Sequence, residues 1–335
     1  MRRLLQFLLT GCMAAAACHA PAQPPLPAEP LLRPAVLSPH ALQGAVLASA
    51  RAGNRLVAVG DRGIVLLSDD QGRSFRQAAA VPVDLMLTSV SFADDRHGWA
   101  VGHGGLVLAT QDGGEHWTVQ RQDLQADRPL FAVHFFDAQH GVAVGLWSLM
   151  LVTDDGGAHW RSVSLPAPPG ATKADLNLFS LFADAQGRVF AAGERGMVLT
   201  STDRGTTWAY AATGYKGSLW TGAALPGGVL LVGGLRGSLY RSADGGRSWA
   251  RVPVDARSSI TQIVAEGDRV LAVGLDGLML RSDDAGRSFA IEWLPGRAAL
   301  TSLSLVVGRR PVLFSRQGPV ATTSVTAATE AAQVR

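Results

Sequence analysis

One short pattern recurs six times along this chain of 335 residues, at a nearly constant spacing. Each copy has a Ser or Thr, an Asp two residues later, a Gly two after that, and an aromatic residue three further on. The copies are Ser68-Asp70-Gly72-Phe75, Thr110-Asp112-Gly114-Trp117, Thr153-Asp155-Gly157-Trp160, Ser201-Asp203-Gly205-Trp208, Ser242-Asp244-Gly246-Trp249 and Ser282-Asp284-Gly286-Phe289. Successive Asp residues are 42, 43, 48, 41 and 40 residues apart. A period in this range is typical of the blades of a β-propeller.

Each copy of this box lies inside a larger unit of apolar runs and tight turns. In the second unit, Gly98 to Gly102 and Leu106 to Thr110 are two such runs, joined by His103-Gly104. Alternating apolar positions from Thr88 to Phe92 predict a strand upstream, and Trp117 to Gln120 predict one beyond the box. One unit is therefore expected to be a four-stranded antiparallel meander. Equivalent upstream strands are expected at Leu130 to Phe135, Leu178 to Phe182, Ser218 to Ala223, Ile260 to Ala265 and Leu300 to Val306.

The seventh unit, Leu300 to Thr323, has no box and no obvious fourth strand. A propeller whose last blade lacks a strand would expose a sheet edge, which invites aggregation. We expect residues Leu31 to Leu37 to supply the missing strand. The predicted fold class is all-β, a seven-bladed β-propeller of four-stranded antiparallel blades whose ring is closed by an N-terminal strand.

The N-terminal residues have the pattern of a targeting segment. Arg2-Arg3, an apolar stretch from Leu4 to Ala17 and the small residues Ala20-Pro21-Ala22 predict a signal peptide over 1–22 and export to the periplasm or a thylakoid-lumen-like compartment. Residues 23–39 are interpreted as a Pro-rich linker and closing strand, 40–325 as the propeller, and 326–335 as a flexible tail.

Both cysteines, Cys12 and Cys18, precede the predicted cleavage site, so a chain cut after Ala22 would contain no thiol. Leu9-Thr10-Gly11-Cys12 also resembles a bacterial lipoprotein box, and Ala16-Ala17-Cys18 is a weaker one. Anchoring through Cys12 or Cys18 and release by cleavage both remain open.

The charge of the chain does not point to nucleic acid. Removing Arg2 and Arg3 lowers the formal net charge from +3 to +1, and there is no basic stripe interleaved with aromatic residues. Of the 30 basic residues only Lys173 and Lys216 are lysines, which leaves 28 arginines. Arginine offers planar bidentate donors to carboxylates, although genome composition explains such a bias equally well.

The boxes are interpreted as scaffold. A short hydroxyl side chain and a carboxylate can accept hydrogen bonds from the amides of their own turn, Gly accommodates a positive φ, and the aromatic residue packs beneath. A catalytic carboxylate would occur once and not six times. We therefore expect structural roles for Asp70, Asp112, Asp155, Asp203, Asp244 and Asp284.

Function is expected where the repeats differ, on the face opposite the boxes. There the turn between the second and third strands of each unit would lie beside the connections between units. The candidate partner-binding residues on this face are Arg62, Arg195, Arg236, Arg128, Arg257, Arg297 and Trp147, together with Lys173 and Lys216. Such a cluster suits an acidic or carboxylate-bearing partner with Trp147 as an anchor. The alternative is a solvated rim whose charges are balanced by Asp61, Asp84, Asp127, Glu194 and Asp276.

The run Gly98 to Gly102, the turn, Leu106 to Thr110 and Asp112 to Trp117, repeated across seven units after a signal peptide, resembles the photosystem II stability and assembly factors and their bacterial relatives with BNR (Asp-box) repeats. This resemblance implies a non-enzymatic, lumenal or periplasmic propeller that helps to assemble a membrane complex. It also implies an arginine-rich patch that binds the client, for which Arg62, Arg195 and Arg236 are candidates. We expect a monomer that binds a membrane protein and needs no cofactor.

A secreted sialidase or another glycosidase is the alternative, since these enzymes also contain such boxes. Their chemistry needs an arginine triad, a nucleophile such as Tyr polarised by Glu, and an acid. Tyr215 could lie on the arginine face with Glu194, but the Arg-Ile-Pro motif of sialidases is absent. No His-Glu-x-x-His or phosphate-binding loop occurs, and packing or surface roles are expected for His134 and His140, so no metal site is predicted.

Overall fold

The structure is a computed structural model that describes residues 32–306 and 310–321. In these residues the strands form seven antiparallel sheets. Blade 1 contains β1 (Val46–Ala52), β2 (Arg55–Gly60), β3 (Val65–Ser68) and β4 (Arg76–Gln77); blade 2 contains β5 (Leu87–Phe92), β6 (Gly98–Gly102), β7 (Val107–Thr110) and β8 (Thr118–Arg121). Blade 3 contains β9 (Leu130–Phe135), β10 (Gly141–Gly145), β11 (Met150–Thr153) and β12 (Arg161–Ser162); blade 4 contains β13 (Leu178–Ala183), β14 (Val189–Gly193), β15 (Met197–Ser201) and β16 (Ala209–Ala212).

The remaining blades follow the same order along the chain. Blade 5 contains β17 (Leu219–Ala224), β18 (Leu230–Gly234), β19 (Leu239–Ser242) and β20 (Ala250–Arg251); blade 6 contains β21 (Ile260–Glu266), β22 (Arg269–Gly274), β23 (Leu278–Ser282) and β24 (Ala290–Trp293). Blade 7 contains β25 (Leu300–Val306), β26 (Arg310–Ser315) and β27 (Gly318–Pro319). The predicted seven-bladed propeller is confirmed, with a seventh blade that has three strands among the described residues.

The second strand of each blade is apolar on both faces because neighbouring blades cover it from both sides. The clusters of buried side chains accordingly run between blades: one joins Val57 and Leu67 of blade 1 to Ala100 and Leu108 of blade 2. Burial of apolar surface stabilises the folded state by about 25 cal/mol per Å². This burial between blades is the main force that holds them together.

The glycine that ends most second strands is required by a close approach of the backbone. A Cβ at Gly60 would lie 1.9 Å from the carbonyl oxygen of Ala45, and one at Gly102 would lie 2.0 Å from that of Met86. Both carbonyls immediately precede the inner strand of the same blade. The Val-Gly ending therefore lets the turn after the second strand fold down onto the start of the first.

The ring closes by contact between blades 7 and 1. The hydroxyl of Ser49 on β1 lies 2.7 Å from that of Ser302 and 2.8 Å from that of Ser304 on β25. The ring of Phe314 packs edge-on against Phe75, with centroids 5.6 Å apart. These contacts join the first and last blades without a shared sheet.

The N-terminal closing strand expected at 31–37 is not observed. Residues 32–37 form no strand, and Leu32 and Ala35 pack against the cluster between blades 1 and 2, with the Ala35 amide bonded to Val81 O. Leu31 lies outside the described residues, as do the predicted signal peptide and the predicted tail at 326–335. The prediction assumed that the free edge of blade 7 required a strand, whereas the short segment Ala41–Gln43 packs against β27.

Candidate partner-binding face

The box turns define one face of the propeller. In each of the six boxes the Asp carboxylate accepts hydrogen bonds from the Ser or Thr two residues before it and from amides of the turn that follows. The carboxylate of Asp70, for example, accepts from the amides of Arg73 and Ser74 and from the Ser74 hydroxyl. This geometry supports a scaffold role for the boxes, because every carboxylate is engaged by its own turn.

The same hydrogen bonds keep the box carboxylates ionised. The Ser74 hydroxyl and amide hold the pKa of Asp70 well below its usual range. The His159 amide and ring lower the pKa of Asp155 to about 2. A group with this pKa cannot serve as a general acid near neutral pH.

The opposite face, called here the top face, carries the turns between the second and third strands. These turns are Asp61–Gly63, His103–Gly105, Leu146–Ser148, Glu194–Gly196, Leu235–Gly237, Leu275–Gly277 and the turn at 316–317. The first residue of every turn donates its amide to the carbonyl immediately before an inner strand, as Glu194 does to Asn177 at 3.1 Å. The turns, the connections between blades and the entrance to the central channel therefore lie on the same face.

The middle residue of six of these turns has a positive φ. Arg62, Trp147, Arg195 and Arg236 have φ values between 51° and 56°, and Gly104 occupies the same position in blade 2 at 66°. This left-handed conformation costs about 1–2 kcal/mol for a side chain that has a Cβ. The left-handed turn projects the predicted arginines and Trp147 into solvent, and all four side chains are exposed.

Neither Arg62 nor Arg236 has an acidic partner among the described residues. Arg195 lies 3.4 Å from Asp175, in a pair whose two side chains are 54% and 31% exposed. Two of the acids proposed as counter-charges are bonded to other groups: Glu194 accepts from the amide and side chain of Asn177, and Asp276 accepts from the Ser258 hydroxyl. The charge on Arg62 and Arg236 is thus left for water or a partner.

The structure also places the predicted residues of the connections on the top face. Arg297 stacks over Trp293, with its guanidinium carbon 4.3 Å from the ring centroid. Arg257 is exposed and follows Ala256, whose carbonyl faces Gly237 of the blade 5 turn, so it lies beside Arg236. Arg128 is half-buried against the blade 2 turn.

The structure does not bring together Tyr215 and Glu194, the two groups of the alternative glycosidase hypothesis. The Tyr215 hydroxyl donates to Leu235 O at 3.2 Å, whereas the Glu194 carboxylate is held by Asn177. A tyrosine nucleophile polarised by Glu194 is therefore not formed here.

The two histidines considered for metal binding have different neighbours and share no site. His140 Nδ1 lies 2.9 Å from an Asp137 oxygen, and His134 packs edge-on against Phe136. Burial lowers the pKa of His134 to about 4, so its ring is neutral near pH 7. No group of three or more potential metal-binding side chains occurs in the described ranges, and no helix there is long and apolar enough to cross a membrane.

Fold and surface together define a β-propeller whose variable, arginine-bearing face is separate from its repeated boxes. Residues 74–175 match the model of the family described as photosynthesis system II assembly factor YCF48. This match and the relatives described next show that the chain is similar to photosystem II assembly factors, in agreement with the resemblance found in the sequence.

A curated relative, the photosystem II assembly lipoprotein Ycf48 of Synechococcus sp. (strain CC9902), is 29% identical over 184 residues. The match covers 52% of this chain and 39% of that protein, so the chain matches about two fifths of the length of its curated relative. Two solved structures share the fold. YCF48 bound to D1 peptide has a TM-score of 0.68 and 17% identity, covering 85% of this chain and 94% of the other; YCF48 from Cyanidioschyzon merolae has 0.66 and 20%, covering 83% and 94%.

Proposed function

We propose that this propeller is an exported, non-enzymatic protein-binding factor that assists the assembly or stability of a membrane protein complex. The observation that carries the proposal is the top face, which exposes Arg62, Arg195, Arg236 and Trp147; Arg62 and Arg236 have no acidic partner among the described residues. The matched family and the solved relative bound to D1 peptide support it. The partner would be a subunit of a membrane complex, recognised through an acidic or carboxylate-bearing segment.

Export and anchoring are part of the proposal. The curated relative is described as a lipoprotein, which supports attachment of this chain through Cys12 or Cys18. Intact mass of the protein purified from whole host cells would distinguish anchoring from release. A chain that begins at Cys12 or Cys18 with added acyl mass supports anchoring, and one that begins after Ala22 supports release.

The arginine face is tested by charge reversal at turn positions that tolerate Asp. Blade 6 has Asp276 at the equivalent position with φ 57°, so Arg62→Asp, Arg195→Asp and Arg236→Asp fit the same backbone. We expect the triple variant to lose capture of the partner from crosslinked membranes, while its melting temperature stays close to that of the wild type. Recovered subunits would be identified by mass spectrometry.

A matched control changes the same total charge away from the top face. Arg73 lies in a box loop, and Arg161 and Arg251 lie in outer strands; all three are exposed. Arg73→Asp with Arg161→Glu and Arg251→Glu should retain capture. Equal capture by both triple variants would refute the arginine face, and a wild type that recovers no membrane subunit would overturn the assembly function itself.

A further inference from the structure

Every inner strand carries a β-bulge at its second residue. In all seven blades the antiparallel register skips one residue at this point. The skipped residues are Leu47, Thr88, Phe131, Phe179, Trp220, Thr261 and Thr301. A bulge leaves its extra residue out of the ladder and re-aims its side chain. Seven side chains are thus redirected at equivalent positions around the ring.

The redirected side chains lie at the mouth of the central channel on the top face. Five of them line a recess of about 390 Å³ there: Leu47, Phe179, Trp220, Thr261 and Thr301. Phe131 also lines the channel and stacks on Phe179, with ring centroids 5.6 Å apart and planes 26° apart. We call Phe131, Phe179 and Trp220, from blades 3, 4 and 5, the aromatic arc.

Threonine at this position supports the fold, because its hydroxyl bonds the neighbouring blade. The hydroxyls of Thr88, Thr261 and Thr301 donate to carbonyls of the neighbouring blades, Leu130 O at 2.7 Å, Leu300 O at 2.9 Å and Val46 O at 2.6 Å. The aromatic side chains make no such bond and remain only half-buried. Large apolar groups that converge in a concave recess and are not fully covered mark a binding site.

The exposed cations and tryptophan of the top face flank the same three blades. The Trp147 amide donates to the Asn177 side chain at 3.0 Å, two residues before Phe179. The turn that carries Arg195 contacts β17, which contains Trp220, and the turn that carries Arg236 follows in blade 5. An occupant of the recess would therefore meet apolar surface below and positive charge at its side.

We propose that the channel mouth over blades 3 to 5 binds an extended peptide segment that inserts a bulky apolar side chain against the aromatic arc and directs neighbouring carboxylates to Arg195 and Arg236. The inference rests on the proposed function, that this face binds a protein. It adds a buried anchor to the charged rim, which is the arrangement that gives an interface most of its binding energy.

The test uses a library of displayed random 12-residue peptides selected against the wild-type chain. We expect enriched sequences to combine Phe, Trp or Leu with nearby Asp or Glu, because the recess is apolar and its rim is positive. The test variant combines Phe131→Thr, Phe179→Thr and Trp220→Thr. It places at each position the threonine that blades 2, 6 and 7 already have there. This variant should melt like a stable propeller yet bind the selected peptides at least about tenfold more weakly.

A second variant, Arg195→Asp with Arg236→Asp, should lose affinity for the same peptides and show a weaker salt dependence. No enrichment, enrichment of basic or wholly polar peptides, or unchanged binding to the threonine variant would overturn the proposal. If the wild type self-associates in sedimentation and the threonine variant does not, the occupant is a second copy of this chain and the peptide proposal is wrong.

The outcome separates this inference from the proposed function. Membrane capture that survives in the threonine variant but is lost in the arginine variant would refute the aromatic anchor and leave the assembly function standing. If selected acidic-aromatic peptides bind the arc but no membrane subunit is recovered, the aromatic anchor stands and the assembly function is refuted.

Discussion

The box aspartates show how one side chain organises a turn. Each carboxylate accepts hydrogen bonds from the hydroxyl two residues before it and from the amide four residues after it. In all six boxes the side chain of that later residue forms a hydrogen bond with the second carboxylate oxygen. The later residues are Ser74, His116, His159, Thr207, Ser248 and Ser288. The repeated pattern does not include this partner, because its residue type varies among Ser, His and Thr while its role as a donor is constant.

Asp155 provides a pH test of this turn. Its pKa is lowered to about 2, first by the His159 amide and then by the His159 ring, so folding favours the charged form. The stabilisation is fully present above the pKa of the unfolded chain, near 3.8, and is lost as pH falls through about 2. We expect Asp155→Asn to melt below the wild type from pH 5 to 7.

The difference in melting temperature between the two proteins should narrow as pH falls from about 4 toward 2, because protonation removes the same charge from the wild type. Thermal unfolding followed by circular dichroism at each pH measures it. A difference that stays constant down to pH 2 would show that the carboxylate charge contributes nothing.

At the scale of strands and turns, the box glycine is where one blade packs on the previous one. A Cβ at Gly205 of blade 4 would lie 2.5 Å from Val142 Cγ2 of blade 3, and one at Gly286 of blade 6 would lie 2.6 Å from Leu231 of blade 5. Both glycines also have a positive φ. The sequence indicated the positive φ, but the contact with the neighbouring blade depends on how the blades stack.

Two matched alanine substitutions separate these effects. Gly205 and Gly214 have φ values of 87° and 83°, but nothing lies within 4 Å of a Cβ built at Gly214. Gly214→Ala should cost about 1–2 kcal/mol from the backbone conformation alone. Gly205→Ala should cost a further 1–3 kcal/mol or so, because the side chain overpacks the interface between blades.

Denaturant unfolding of the two variants gives the comparison. Equal losses of stability would mean that the box turn does not pack tightly against the preceding blade, contrary to the geometry. A larger loss at Gly214 would likewise contradict it.

For the molecule as a whole, the decisive contact is the one between the last blade and the first. Blade 7 adds Phe314, which is fully buried, to the cluster that contains Leu56 and Leu66 of blade 1. No strand crosses this boundary among the described residues, so side-chain packing and hydroxyl bonds close the ring. A ring closed in this way unfolds cooperatively only if this interface is as strong as the others.

Phe314→Ala tests the closing interface. Truncating a buried phenylalanine costs about 3–5 kcal/mol, and we expect the whole propeller to show this loss as a single transition at lower denaturant. Val119→Ala, at a position that is 38% exposed on β8, is the control and should change stability by less than about 0.5 kcal/mol. An early, separate transition of blade 7, or an unchanged midpoint, would show that closure does not limit stability.

The amino-acid sequence alone determined the number of blades, the strand order within them and the identity of the face that carries Arg62, Arg195 and Arg236. It could do so because turns and alternating apolar residues are local signals, repeated in every unit. Tertiary structure decided the rest. The closure of the ring, the contact of each box glycine with the preceding blade and the convergence of Phe131, Phe179 and Trp220 all join residues from different blades. These residues lie about 40 to 50 positions apart or more in the chain, so their meeting depends on the curvature of the ring, which no local pattern encodes.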